Sequence, residues 1–240
     1  MRTSNKILLG IFLTPLLILT SIHVALYAKY KSGNYVTMKT VEEDRFTRTT
    51  FKNINNIAVY GLDNFNVKPA DSLKLEIEKD KNGHLHYTIV GDSLIIHGDS
   101  TINRPNGSAD IQRSYQVVNL YTPMIANIIA DNADVNLQGS KDSLKAISYH
   151  FSLTNSAGLK VEDYGNDSTH VYFKGLTIKA SNSAGIELTA HSRVRELVLT
   201  LFESAFTDNG ASIDKLVIDA DKISNITLKG DNLKKLNMLH

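Results

Sequence analysis

Three aspartates in the C-terminal part of the chain could support carbohydrate hydrolysis. Asp219 and Asp221 lie two residues apart on a predicted strand, so both carboxylates point to the same side of it. Asp208 could join them from the preceding structural repeat. A glycosidase needs two carboxylates across the sugar, which makes this trio the candidate site of a polysaccharide-active enzyme. Because charged residues normally stay at the surface, we favour a solvated outer face instead.

Histidines offer a second kind of chemistry. His84 and His86 form a His-x-His pair on one strand face, where two imidazoles could share a zinc ion. Asp80 and His97 are the candidates for a third ligand. We favour the simpler interpretation of exposed strand histidines. His23 is isolated near the end of an apolar segment, where its ring could reach a membrane interface.

Other catalytic patterns are missing from the sequence. Ser93, Ser156 and Ser183 have no histidine at a useful spacing, and no glycine-rich phosphate loop occurs. The chain has no cysteine, which excludes disulfides, thiolate metal sites and a lipidated-cysteine anchor. Arg193 and Arg195 share a strand face and could bind an anion, although ordinary surface charge is simpler. We therefore predict no catalytic residue, no metal ligand and no cofactor.

The element most clearly predicted is an N-terminal membrane anchor, residues 1–31. Its segment 7–28 has 22 residues and no formal charge, so a helix there would span about 33 Å of bilayer. A cleaved signal peptide is the alternative, but its apolar region is usually only about 7–15 residues long. Leu26 also stands where a cut after Ala28 would need a small residue. We predict that the segment stays uncleaved and that the lipid bilayer is its partner.

Charge excludes one class of function. The formal net charge is +1, and the first 31 residues hold four bases and no acid, so the remainder is slightly acidic. Such a body lacks the electrostatic footprint of a nucleic-acid binder. We expect residues 32–54 to form a stalk or lead-in. From the composition of the body we place residues 55–240 on the extracytoplasmic, periplasmic side of the cytoplasmic membrane, in the cell envelope.

The body shows strand patterns. Apolar residues alternate with charged ones from Leu73 to Glu78, which indicates a half-buried strand. The same alternation over 85–89 and 94–96, broken by Gly91-Asp92-Ser93, predicts a hairpin. A further turn is predicted between 57–59 and 65–67.

A loose internal repeat occupies the C-terminal half, in segments 128–137, 151–161, 176–188, 197–208 and 216–228. Each has a short strand, a small polar corner and a second short strand. The second strand opens at apolar residues spaced 20 to 27 apart, namely Val135, Leu159, Ile186, Phe206 and Ile226. No helical periodicity and no leucine-rich signature is present, so we predict an all-β, right-handed β-helix-like stack preceded by one transmembrane helix.

The corners of the repeat carry small and amide residues. We expect Ala133, Ala157, Ala184 and Ala205 to stack as small corner or interior residues, and Asn155 and Asn182 to form a hydrogen-bonded ladder. Ordinary turn residues are the alternative. We expect 233–240 to form a final, incomplete coil without a capping helix, so that a partner or a second copy would cover the end.

These motifs resemble the GIN domain, a head domain described as an auto-transporter adhesin. The resemblance begins at 56–61, continues through 65–67 and 91–96, and includes the Asn-Ser-Ala-Gly tetrapeptides at 155–158 and 182–185. It covers about residues 55–239. It implies a β-helix-like stack, an exported protein with a lipoprotein signal or membrane helix, and no catalytic residues.

A second resemblance concerns modification. Asp-Ser followed by Leu or Thr is similar to the O-glycosylation sequon of some exported bacterial proteins, and it occurs at 71–73, 92–94, 99–101, 142–144 and 167–169. Asp-Ser is also a common turn dipeptide. The sequon would imply export.

Three functions remain open from the sequence. The first is a membrane-anchored, non-enzymatic binding or adhesion module with a protein or glycan partner and no nucleic acid. The second is an envelope-stress sensor or regulatory partner of a membrane protein. The third is a polysaccharide-active enzyme, which requires Asp208, Asp219 and Asp221 to cluster in a groove.

Overall fold

The computed structural model describes residues 3–33, 45–79, 85–98, 100–103, 109–123, 127–162 and 170–236. The chain divides into two compact units, Met1–Arg45 and Phe46–His240. The domain boundaries expected from the sequence stay a prediction.

The first unit contains one long helix, α1 (Thr3–Lys31), whose stretch Leu9–Lys31 is long and apolar enough to cross a membrane. Thr14, Ser21 and His23 each hydrogen-bond the carbonyl oxygen four residues earlier, at 2.8, 2.7 and 2.8 Å. Hydrocarbon offers no partner to a polar group, so this internal bonding suits a helix in lipid. A membrane anchor and a signal sequence share this length and composition.

The second unit is built from two large sheets. Sheet A contains, in spatial order, β1 (Phe46–Thr50), β4 (Lys74–Glu78), β9 (Val118–Thr122), β3 (Phe65–Pro69), β11 (Asp134–Gln138), β13 (Gly158–Glu162), β16 (Gly185–Leu188), β18 (Ala205–Asp208) and β20 (Asn225–Thr227). Sheet B contains β5 (His86–Val90), β6 (Ser93–His97), β2 (Asn56–Tyr60), β10 (Asn127–Asp131), β12 (Ser148–Thr154), β15 (Gly175–Ser181), β17 (Ser192–Phe202) and β19 (Ser212–Ala220).

Three further short strands belong to the described part of the second unit. β14 (Val171–Phe173) pairs with the first part of β17, and β19 pairs with the same part of β17 on its other side. β14 therefore extends sheet B along the first part of β17. β7 (Ser100–Asn103) and β8 (Ala109–Gln112) form a separate antiparallel hairpin. The predicted hairpin of β5 and β6 is confirmed.

The chain passes back and forth between the sheets, and seven strands of sheet B each form one coil with the next strand of sheet A. The coils stack through parallel pairing in the order β6/β9, β2/β3, β10/β11, β12/β13, β15/β16, β17/β18 and β19/β20. Antiparallel strands β4, β1 and β5 close the first end. The all-β stack and its N-terminal apolar helix are therefore present; the right hand of the stack stays a prediction.

The repeat register predicted from the sequence is confirmed. The five opening residues of the second strands, Val135 to Ile226, pair in one unbroken row across sheet A. Phe65 and Val118 extend the row to the earlier coils. Alternate residues of both sheets are buried between them in a single core. Each fully buried side chain of this kind contributes about 1.5–3 kcal/mol, so the columns hold the coils together.

The corners confirm the ladder and correct one residue. Asn182 Nδ2 donates to Asn155 Oδ1 at 3.3 Å, and Asn155 Nδ2 donates to Asp131 Oδ1 at 2.9 Å. Asn155 and Asn182 have φ of 53° and 55°, a left-handed conformation that asparagine tolerates well. Ala133, Ala157 and Ala184 are buried as expected. The expectation for Ala205 was wrong.

Ala205 is exposed and pairs with Gly185, the first residue of the neighbouring strand. The buried small residue of that corner is Ser204, whose Oγ donates to the carbonyl of Phe202 at 2.8 Å. The misassignment by one residue arose because this corner has one left-handed residue, Glu203, where the two preceding corners each have two.

The expectation of an uncapped final coil was also wrong. A short helix, α2 (Asp231–Leu236), follows β20 and contacts β19. Asn232 is buried, and its Nδ2 donates to the carbonyl of Ala211 at 2.7 Å. Asp231 in the first turn and Lys234 and Lys235 in the last complement the helix dipole, a signal that the sequence did contain. Residues 237–240 lie outside the described residues.

Candidate binding groove on the outer face of sheet A

A groove of about 710 Å³ runs along the stack on the outer face of sheet A. Its floor is a row of paired residues at the start of successive strands, namely Asp134, Gly158, Gly185 and Ala205. Gly185 has open space above it, because a Cβ added there would meet no atom within 4 Å. The floor is thus open backbone at Gly185, whereas the Asp134 side chain covers Gly158, where an added Cβ would lie 2.6 Å from Asp134 Oδ1.

One wall of the groove is the next outward-facing row of sheet A. It consists of Asn136, Lys160, Glu187 and Thr207, which are paired from strand to strand. Along this row the side chains carry, in order, an amide, a cation, an anion and a hydroxyl group. It therefore offers hydrogen-bond donors and acceptors at each strand spacing of about 4.8 Å.

Arg113 fixes the corner at one end of the groove. Its Nη1 lies 2.9 Å from Asp134 Oδ2 and 3.3 Å from Asp63 Oδ1. Its Nε donates to Asn132 Oδ1 at 2.9 Å and its Nη2 to the carbonyl of Ser156 at 2.8 Å. One guanidinium thus joins the corners of three neighbouring coils.

Asn209 stands at the other end. Its Nδ2 donates to Glu187 Oε1 at 2.7 Å, and its Oδ1 lies 3.5 Å from Lys229 Nζ. The Asn209 amide therefore holds one carboxylate oxygen of Glu187 in place within the groove wall. Both ends of the groove are held by side-chain bonds, so the lining is preorganised.

A charged cluster borders the same face of sheet A. Glu76 is only 6% exposed and accepts from Arg48 Nε, Lys74 Nζ and Tyr121 Oη at 2.9, 2.9 and 3.1 Å. Burial raises the pKa of Glu76, but the bonds from Lys74, Arg48 and Tyr121 together hold it below its usual value. Burial and the charge of Glu76 raise the pKa of Tyr121 to about 12. Burial lowers the pKa of Lys68, whose ammonium lies 5.6 Å from the Tyr121 ring centroid.

The three candidate catalytic aspartates do not converge. Asp208 is fully buried on the inner side of sheet A, whereas Asp219 is exposed on sheet B. Asp221 caps a corner, where its Oδ1 accepts from Ser224 N at 2.9 Å and its Oδ2 from Glu203 N at 3.1 Å. The groove required by the enzyme hypothesis is therefore not formed by these residues. Our preferred solvated face was also wrong for Asp208.

The histidine site is only partly described, because Asp80 and His84 lie outside the described residues. His86 and His97 pair across β5 and β6, and their rings stack at 5.2 Å between centroids. Tyr60 stacks on the other side of His97 at 4.8 Å. Among the residues with described positions, no group of three or more metal-ligating side chains occurs.

The other sequence candidates are dispersed. Ser93 begins β6, and Ser156 and Ser183 occupy left-handed corner positions. Asp142 accepts from Leu144 N at 2.9 Å in a turn at one Asp-Ser site. The Asp-Ser sites at 99–101 and 167–169 involve residues outside the described ranges.

Comparison with known proteins gives likeness to solved structures alone: no family model and no curated protein matches the chain. A "putative adhesin" from Parabacteroides distasonis ATCC 8503 matches with 9% identity and a TM-score of 0.40, over 76% of this chain and 96% of its own. A "putative lipid binding protein" from the same strain matches with 12% identity and a TM-score of 0.36, over 76% and 96%. A "putative cell adhesion protein" from Clostridium sporogenes ATCC 15579 matches with 13% identity and a TM-score of 0.28, over 76% and 97%.

These matches leave the GIN resemblance an expectation. The groove itself was missed at the level of the sequence. The signal was present in the two Asn-Ser-Ala-Gly tetrapeptides, whose glycines, Gly158 and Gly185, are paired neighbours on the groove floor. From the sequence alone, these tetrapeptides indicate only corners.

Proposed function

We propose that this protein is a non-catalytic binding module, anchored to the cytoplasmic membrane by residues 7–28, whose body binds an envelope glycan on the extracytoplasmic side. The observation that carries the proposal is the preorganised groove on sheet A, with open backbone at Gly185 and a polar wall. An anchored adhesion module needs an exposed, rigid recognition surface of this kind.

A glycan suits the groove better than a peptide. The strands under the groove are already paired with neighbours on both sides, so they have no free edge to which a peptide strand could be added. The wall instead repeats polar groups at about 4.8 Å, close to the length of one sugar unit in an extended polysaccharide. Amide, hydroxyl and carboxylate groups are suited to bind sugar hydroxyls.

Site-specific photo-crosslinking in the cells that make the protein tests the groove. A benzoylphenylalanine replaces Gly185, where the side chain meets open space, and in a matched control it replaces Thr200 on the exposed outer face of sheet B. We expect a saccharide-bearing adduct at position 185 and not at position 200. A protein adduct at 185 would contradict the glycan, and equal labelling at both positions would overturn the groove.

Alkaline carbonate extraction tests the anchor separately. We expect the full-length protein to remain in the membrane pellet, with the mass of the uncleaved chain. Release of a shortened chain would show that the apolar helix is a cleaved signal, while the groove experiment would keep its meaning.

A further inference from the structure

A second concave surface lies on the part of sheet B where β14 and β19 pair with the first part of β17. It has a volume of about 510 Å³, and Lys174, Arg193 and Arg195 line it together with Tyr172 and Asp214. An adjoining cavity of about 500 Å³ shares Lys174, Arg195 and Asp214. The proposed glycan groove shares no lining residue with either cavity.

The pairing register brings the three cations together. Arg193 and Arg195 are exposed on β17, while Ser192 before them and Val194 between them are buried. Phe173 pairs with Val194, which sets Lys174 beside Arg195 on the neighbouring strand. Neighbouring strands are about 4.8 Å apart and alternate residues about 7 Å, so three cationic side chains enclose one small area.

The cations are not neutralised by carboxylates. Within the described ranges the side chains of Arg195 and Lys174 have no hydrogen bond or ion pair, and the Arg193 side chain bonds only His170, from Nη2 to Nε2 at 3.1 Å. Glu196 is engaged elsewhere, by Lys215 at 2.6 Å. Asp214 is the one acidic residue among the described residues lining the 510 Å³ cavity, against three cations.

This concentration of charge contrasts with the rest of the body, in which acids outnumber bases. His170 holds Arg193 through one terminal nitrogen, which limits the orientations of the guanidinium without neutralising it. Guanidinium groups bind oxyanions through two parallel N–H bonds, and such charge-assisted bonds are among the strongest in proteins.

We infer that Arg193, Arg195 and Lys174 form a binding site for a phosphate or sulfate group, separate from the glycan groove. The group would sit between the two guanidinium forks, with the Lys174 ammonium balancing its second negative charge. It could be carried by a sugar or by a lipid headgroup, which share this chemistry.

Calorimetric titration of the full-length protein in an uncharged detergent, at constant ionic strength, tests the inference. The probes are inorganic phosphate, inorganic sulfate, glucose 6-phosphate and soluble dihexanoyl phosphatidic acid. We expect saturable binding of at least one phosphate or sulfate probe. Binding of glucose 6-phosphate alone would identify a sugar source, and binding of phosphatidic acid alone a lipid headgroup. No saturable binding to any probe would overturn the site.

Matched variants separate a built site from diffuse charge. We expect R193Q/R195Q to weaken binding about tenfold or more, because two charge-assisted partners are lost. R193K/R195K keeps the charge and loses the forks, so an intermediate loss is expected. K52Q/K179Q removes two exposed charges elsewhere and should change affinity less than about twofold. Equal losses in the control and the arginine variant would also overturn the site.

Discussion

Asn232 Nδ2 donates a hydrogen bond to Asp208 Oδ2 at 2.9 Å, and both residues are buried. Asp208 Oδ1 accepts from the backbone N–H groups of Gly210 and Ala211 at 2.9 and 2.7 Å. Asp208 stands beside Leu188 in an inward-facing column of sheet A. The carboxylate therefore ends an apolar column and fastens the terminal helix to it.

Replacing Asp208 by Asn should destabilise the protein by about 2–3 kcal/mol, because an amide nitrogen would face donors at one of these positions. Denaturant unfolding followed by circular dichroism measures the loss. The matched control is D219N, which removes a carboxylate from an exposed position and should change stability by less than about 0.5 kcal/mol. Equal effects of the two changes would contradict the structural role of Asp208.

Converting the corner ladder to a pair of acids should make stability depend on pH. In the unmodified protein Asp131 Oδ1 accepts a hydrogen bond from Asn155 Nδ2 at 2.9 Å. In N155D a carboxylate would face Asp131 instead. Like charges in direct contact should cost about 1 kcal/mol at pH 7. Protonation of the pair at about pH 4 should recover most of this loss. Thermal unfolding at both pH values checks it; a loss that is the same at pH 4 would contradict repulsion.

Glu76 should contribute stability that acid removes. Its pKa is held below the usual value in the folded protein, so its bonds stabilise the fold at neutral pH and are lost as pH falls through the folded pKa. E76Q should therefore be about 2 kcal/mol less stable than the unmodified protein at pH 7, with a smaller difference below the ordinary carboxyl pKa of 4.5. A difference that stays constant with pH would contradict the charged role.

The same variant should change the titration of Tyr121. Its pKa of about 12 results from burial and from the Glu76 charge, so E76Q should lower that pKa toward 10.0. Tyrosinate absorbance measures it, with Y121F identifying the contribution of this residue among the ten tyrosines. An unchanged Tyr121 titration in E76Q would contradict the coupling.

Two glycines should respond differently to alanine. A Cβ at Gly139 would lie 2.7 Å from Phe173 Cζ and 2.9 Å from Val171 Cβ, so G139A should cost about 1–3 kcal/mol through overpacking. A Cβ at Gly185 meets nothing within 4 Å, and G185A should be nearly neutral. Equilibrium unfolding of G139A and of G185A measures the two changes in stability. If G185A were as damaging as G139A, the groove floor would not be open.

The repeat could be predicted from the sequence because each buried column of side chains is determined by short patterns within each segment. Alternation around Val135, Leu159 and Ile186 determines which side of each strand is buried, and the small corners determine where the chain turns. The Asn155–Asn182 ladder followed from the same register. Burial at Asp208 could not be predicted in this way, because it depends on Asn232 in the terminal helix, which lies outside the repeat.

The candidate surfaces were less predictable than the stack. The groove depends on the outward row that contains two glycines, and this row can be recognised only once the pairing of Gly158 with Gly185 is known. The cluster of Lys174 with Arg193 and Arg195 depends on the register of β14 on β17, between segments that have no common motif. Sequence identified the two arginines on one strand face and could not supply the third cation.

The order of the coils has a consequence for how the molecule is made. The coil of β2 and β3 is the first in the chain, yet it lies inside the stack, with β6 and β9 on one side and β10 and β11 on the other. During synthesis the earliest coil therefore waits with both of its strand edges unpaired until two later segments arrive. Assembly must proceed outward in two directions from an interior seed, so a chain stopped after β9 would still lack half of the seed's neighbours.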